Sequence, residues 1–218
     1  MKLARRVDLR LIACIGWMAA TSLSCRTSGL DAPIVQPGSP GEPTHEITAR
    51  QAIDLRAVRA TAADFQFMQG MIGHHQQAIE MAELLATRTN DDAMRKLGRR
   101  IEISQADEVR MMQQWLTGHH QAVPDEHAMH MHGATLMPGM LTPDEMEHLA
   151  TAKGIAFDRL FLEGMIKHHG GALTMVADLF SHAGAAQDPD IFTFVSDVDA
   201  DQRAEIARMS AMLEELQK

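Results

Sequence analysis

Two pairs of adjacent histidines, His74-His75 and His168-His169, are the residues best equipped for chemistry, because each pair sits inside the same longer pattern. The stretch from Asp64 to Ala82, DFQFMQGMIGHHQQAIEMA, aligns without a gap on Asp158 to Val176, DRLFLEGMIKHHGGALTMV, at an offset of 94 residues. Around the histidines the match joins Asp64 to Asp158, Phe67 to Phe161, Gly70 to Gly164, Met71 to Met165, Ile72 to Ile166, Ala78 to Ala172 and Met81 to Met175. Imidazole and thioether are donors for soft and borderline metal ions. Met71, His74, His75 and Met81, and equally Met165, His168, His169 and Met175, are therefore candidate ligands. The same residues also have a purely structural reading, since Met fills gaps in helical cores and a core histidine is often simply hydrogen-bonded.

A second pair of segments supplies the partners such histidines need. Ile101-x3-Gln105-x2-Glu108-x3-Met112-x3-Leu116 is answered, at an offset of 97 residues, by Val198-x3-Gln202-x2-Glu205-x3-Met209-x3-Leu213. Gln105, Glu108, Gln202 and Glu205 either staple the histidines within a structural network or orient them toward a metal from behind. A third concentration lies between the repeats: His119-His120, His127, Met129, His130, Met131, His132, Met137, Met140, Met146 and His148. Thioether and imidazole together favour Cu(I), and imidazole also serves Cu(II) or Zn. The competing reading is a solvated linker of biased composition.

Helices must position these groups. Placing residues at steps of about 100° puts Met71, Ala78, Ala82, Leu85 and Phe67 on one stripe, with His75 and His74 on its two flanks. Met165, Ala172, Val176, Leu179 and Phe161 repeat the arrangement with His169 and His168. Main helices are expected over 62–87, 91–117, 155–182 and 189–215. Asn90 is a cap for the second, and Asp188 with Pro189 opens the fourth. Thr142-Pro143-Asp144-Glu145 starts a short helix that ends near Gly154. Each repeat is then an antiparallel helical hairpin, and two hairpins form an all-α, ferritin-like four-helix bundle. The hairpins cover 62–117 and 155–216, and the Met/His-rich connector covers 118–154. A minor helix is expected over 47–60.

The N-terminus reads as an export signal over residues 1–24. Lys2, Arg5, Arg6 and Arg10 precede an apolar run from Leu11 to Leu23, which is short for a bilayer span. Ser22-Leu23-Ser24-Cys25 resembles a bacterial lipobox, although Ser22 stands where a leucine is expected. Lipidation at Cys25, with anchoring to a membrane, is the favoured processing. Ordinary cleavage nearby and an uncleaved anchor are the alternatives. Pro, Gly and Ser then make residues 26–43 a tether. The chain holds 20 basic and 29 acidic side chains; residues 1–24 take four and one of them, leaving 16 against 28. That balance disfavours nucleic acid as a partner and suits cations.

The doubled Met-Ile-x-His-His-x2-Ala-hydrophobic-x-Met signature, the Gln-x2-Glu on each following helix and Met137-Pro138-Gly139-Met140-Leu141-Thr142 resemble the CopM-like bacterial family, a domain of unknown function. The resemblance runs from Asp64 to Leu216. It implies an exported ferritin-like bundle, with copper binding as described for at least one relative. The chain departs from its own repeat where Gly170-Gly171 replace Gln76-Gln77, which either loosens that helix or admits a close contact.

The functional expectation is an exported, non-catalytic protein that binds copper, with Cu(I) favoured, for buffering, sequestration or resistance. A structural or interaction module of the envelope is the alternative. A di-metal oxidase would need carboxylates from all four helices and two Glu-x-x-His pairs. Only Glu145-x-x-His148 is present, on the short helix. Hydrolytic chemistry finds no nucleophile elbow and no cysteine beyond residue 25. Acidification is expected to release the metal from histidine.

Overall fold

The computed structural model describes residues 34–36, 43–52, 59–124 and 136–218. Two short strands, β1 (Ile34–Gln36) and β2 (His45–Ile47), pair antiparallel with Ile34 opposite Ile47. They fall where a tether and the start of a minor helix were expected. β-branched residues here favour extended backbone over helix, so helix α1 begins only at Ala49 and is described to Ala52.

The bundle begins with α2 (Ala62–Glu83), which has a complete capping box. Asp64 takes the role usually filled by Glu: the Thr61 side chain accepts from Asp64 N, and the Asp64 carboxylate accepts from Thr61 N at 2.7 Å. A single turn, α3 (Leu85–Arg88), leads to α4 (Asp92–Gly118). The cap of α4 is Asp91, whose carboxylate accepts from Ala93 N and Met94 N, rather than Asn90. In α5 (Pro143–Thr151) Thr142 and Glu145 form the expected capping box, and the helix stops at Thr151. α6 (Gly154–Ser181) and α7 (Pro189–Glu215) make the second hairpin, with Asp188 capping α7.

Within each hairpin the helices pack along their length, α2 on α4 and α6 on α7, and the hairpins meet chiefly through α2 against α6. The all-α four-helix bundle expected from the repeat is the observed architecture. Loop contacts are exchanged between hairpins as well. The buried Asp64 carboxylate accepts from Ala186 N at 2.7 Å, across to the α6–α7 loop, and its repeat mate Asp158 bonds the Thr89 side chain in the α3–α4 loop. Burial raises the pKa of Asp158, opposed by that hydrogen bond.

Each helix changes chemistry once along its length. On α2, Phe67, Met68, Met71 and Ile72 join one apolar cluster, and Ala78, Met81 and Ala82 join another together with Leu85 of α3, with His74 and His75 between. α4 passes from Met94, Leu97 and Ile101 through Gln105 and Glu108 to Val109, Met112 and Leu116. α6 does the same around His168 and His169, and α7 around Gln202 and Glu205. The core is therefore two apolar lobes separated by one buried polar layer. Burying such groups is unfavourable unless they bond each other or a ligand.

Candidate metal centre

In that layer each hairpin closes one pair. His75 Nε2 lies 2.5 Å from Glu108 Oε2, and His169 Nε2 lies 2.7 Å from Glu205 Oε2. The remaining histidines meet across the hairpin boundary: the rings of His74 and His168 have centroids 3.8 Å apart. All four are buried. Burial, then the neighbouring His75, pull the pKa of His74 down to about 3; burial and His74 hold that of His168 well below the ordinary value. Both rings are neutral at pH 7, the form that ligates metal.

The hydrogen bonds leave one nitrogen of each ring over. His74 Nε2 donates to the Pro138 carbonyl at 3.0 Å. His168 bonds the backbone carbonyl of His74. Buried and without a protein partner are His74 Nδ1, His75 Nδ1, His169 Nδ1 and His168 Nε2, together with Gln105 Oε1 and Gln202 Oε1. Thus Glu108 and Glu205 each bond a histidine, while Gln105 and Gln202 lie in the layer with their carbonyl oxygens unpaired. Among the described residues no three His, Cys, Asp or Glu side chains converge on one point suitable for a metal ion. The two carboxylates of the layer, Glu108 and Glu205, are each engaged by a histidine.

The methionines divide. Met71 and Met165 are fully buried in opposite lobes, Met71 beside Phe67 and Met165 beside Phe161. Met81 and Met175 each reach into the other hairpin. An ideal Cβ on Gly164 would stand 3.3 Å from Met81 Cε, and one on Gly70 would stand 3.6 Å from Met175 Cε and 3.1 Å from Met137 Sδ. The repeated glycines are the notches that admit these thioethers. Met137, Met175, Phe67, Gly70 and Pro138 line a cleft of about 510 Å³, and the carbonyl of Pro138 is the one that His74 bonds. Met140, three residues on from Met137, is buried. His127, Met129, His130, Met131, His132 and Cys25 lie outside the described residues.

Sequence analysis missed the seat of the connector. Gly139 takes a φ of +77°, open to glycine. A Cβ on Gly171 would fall 1.9 Å from the Pro138 carbonyl oxygen and 2.6 Å from Gly139 Cα. On the other side Gln77 grips Leu141 twice, donating to its carbonyl at 2.9 Å and accepting from its N–H at 2.7 Å. The Gly-Gly departure in the second repeat is thus a close contact with the connector, made at Gly171; a Cβ on Gly170 would meet nothing within 4 Å.

Fold and layer together define a two-hairpin, four-helix bundle with a buried His/Glu stratum and thioethers at its edge. Residues 64–213 match the family described as Domain of unknown function (DUF305), and the chain belongs to that family. It is similar to a DUF305 fragment from Deinococcus radiodurans, with 30% identity and a TM-score of 0.61 over 72% of this chain and 98% of that one. A DUF305 protein from Streptomyces coelicolor, assigned as secreted, is 31% identical with a TM-score of 0.62 over 71% and 94%. The Cu(II)-bound form of CopM is 31% identical with a TM-score of 0.57 over 70% and 96%. CopM also has Cu(I)-bound and Ag-bound structures. No curated protein matches the chain.

Proposed function

We propose that this is an exported copper-binding protein that carries the ion as cargo, without catalysis, and that His74 and His168 are its central ligands. One observation carries the reading: two neutral, buried imidazoles from opposite hairpins touch, and each keeps an unpartnered ring nitrogen. An orphaned buried nitrogen is costly unless something binds it. Met137 and Met175 supply thioethers from the adjoining cleft, a donor set that suits Cu(I). Glu108 and Glu205 fix His75 and His169 behind this pair. Family membership and the copper- and silver-bound structures of CopM agree with it.

Residues 1–24 as an export signal and Cys25 as a lipid attachment belong to the same proposal, in which the acidic remainder of the chain draws cations to a membrane-tethered bundle. Among the described residues no helix is long and apolar enough to cross a membrane. Burial bears on the expected release by acid: the pKa of His74 is held well below the ordinary histidine range, so protons compete for this ligand only in stronger acid than at an exposed histidine.

A Cu(I) competition titration on a soluble form beginning at Arg26, beside His74→Ala/His168→Ala, tests the reading. Circular dichroism must show both proteins folded. Loss of the tight site in the folded variant is the expected result. Unaltered binding moves the ligands elsewhere. Failure of the wild type to bind copper leaves a structural module, for which the buried His75–Glu108 and His169–Glu205 pairs would serve as staples.

A further inference from the structure

The repeat makes His74 and His168 equivalent in sequence, yet their hydrogen bonds differ. A carbonyl oxygen cannot donate, so the 3.0 Å contact with Pro138 places the His74 proton on Nε2 and leaves the lone pair on Nδ1. His168 bonds the His74 carbonyl, and its Nε2 has no partner. The proton of His168 therefore sits on Nδ1 and its lone pair on Nε2. The two rings present opposite nitrogens.

The cause is topological. Two hairpins are joined by a single connector, which can cap only one of two equivalent histidines. The Met137–Leu141 turn is seated on the α2 side by the two hydrogen bonds of Gln77 to Leu141. On the α6 side it is seated by the absence of a side chain at Gly171, where Pro138 and Gly139 press on the helix backbone. Gln77 and Gly171, one of the aligned pairs at which the repeat departs from itself, are the two halves of this seat.

We propose that Gln77, Gly139 and Gly171 are positioning residues, which hold the Pro138 carbonyl on His74 so that the protein binds its metal through Nδ1 of His74 and Nε2 of His168. This rests on the reading that the pair holds a soft metal. A ligating histidine whose other N–H is held by a carbonyl has its tautomer and ring orientation fixed, and loss of such a partner commonly lowers affinity by roughly 10- to 100-fold. The seat makes that bond rigid because both ends of the turn are anchored.

The test uses the folded chain with 15N-labelled histidine and Ag(I) as an NMR-active probe in place of Cu(I). Native mass spectrometry first counts bound silver. In the metal-free protein, long-range 1H–15N spectra should give His74 as the Nε2–H tautomer and His168 as the Nδ1–H tautomer. On loading, silver should split the Nδ1 signal of His74 and the Nε2 signal of His168. Splitting at the opposite nitrogen of either ring overturns the proposal. Silver bound with no splitting at either histidine, or no silver bound, sinks instead the reading of the pair as ligands. In Gln77→Ala, which removes two hydrogen bonds to Leu141 and none to either ring, the His74 tautomers should mix while His168 stays as it was, and silver affinity should fall by about tenfold. An unchanged His74 tautomer with unchanged affinity in this variant refutes the role of the seat.

Discussion

Acidification from pH 7 to pH 5 should destabilise this protein, and His74 lets the size be worked out. In the unfolded chain its pKa is the ordinary 6.5, whereas in the bundle it is about 3. The unfolded state therefore binds more protons throughout that window, and stability falls as pH drops. The loss begins near 6.5 and ends near 3. Integrating at about 1.4 kcal/mol per unit gives about 2 kcal/mol between pH 7 and 5 for His74 alone. His168 contributes with the same sign because burial and His74 lower its pKa too. Asp158 works the other way, since its raised pKa makes the folded state bind a proton more readily in the carboxylate range. The upper window is thus the informative one. Urea unfolding of metal-free protein at pH 7, 6 and 5, beside His74→Asn, is the assay. Wild type should lose about 2 kcal/mol more than the variant over that range. Parallel pH dependence in the two proteins would mean that the folded protein accepts the proton at His74, and the argument from a sealed polar layer would fail.

Five substitutions check the packing. Gly171→Ala forces a Cβ into the Pro138 backbone and should cost roughly 1–3 kcal/mol in urea melts, whereas Gly170→Ala meets open space and should stabilise α6 by up to about 1 kcal/mol. Asp64→Ala removes the carboxylate half of the capping box, leaving Thr61 N–H without its acceptor, and strands Ala186 N–H between the hairpins; a loss of about 3 kcal/mol is expected by thermal or chemical unfolding. Glu108→Ala and Glu205→Ala each orphan a buried histidine nitrogen and should cost roughly 1–3 kcal/mol, while Cu(I) titration should find the affinity within about threefold of wild type if His75 and His169 only support the central pair.

Much of this was legible in the sequence because it is periodic. A seam at helical spacing, interrupted once by His-His on α2 and α6 and once by Gln-x2-Glu on α4 and α7, is enough to specify four helices with one polar stratum. The Glu108–His75 and Glu205–His169 pairs follow from the same arithmetic, since both partners lie on inward faces of adjacent helices. Periodicity says nothing about a segment that is not periodic. The turn from Met137 to Leu141 is placed by docking: by a left-handed Gly139, by a bare stretch of α6 at Gly171 and by a side chain on α2 that bonds Leu141. The Ile34–Ile47 ribbon was missed for a related reason, because its pairing joins residues far apart in a stretch whose composition suggests a tether.

The mismatch between Gln76-Gln77 and Gly170-Gly171 was visible, but an alignment of two repeats presents it only as a gain in flexibility or room. Its meaning comes from the connector. Two identical hairpins related by their own repeat would offer two identical histidines, and one linker must break that equivalence. Gln77 grips the linker where Gly171 yields to it. A duplicated sequence thereby arrives at a central pair in which one ring bonds a carbonyl through Nε2 and the other keeps its Nε2 unpartnered. The departure from the repeat is consequently the part of the chain that bears most directly on how the pair meets a ligand.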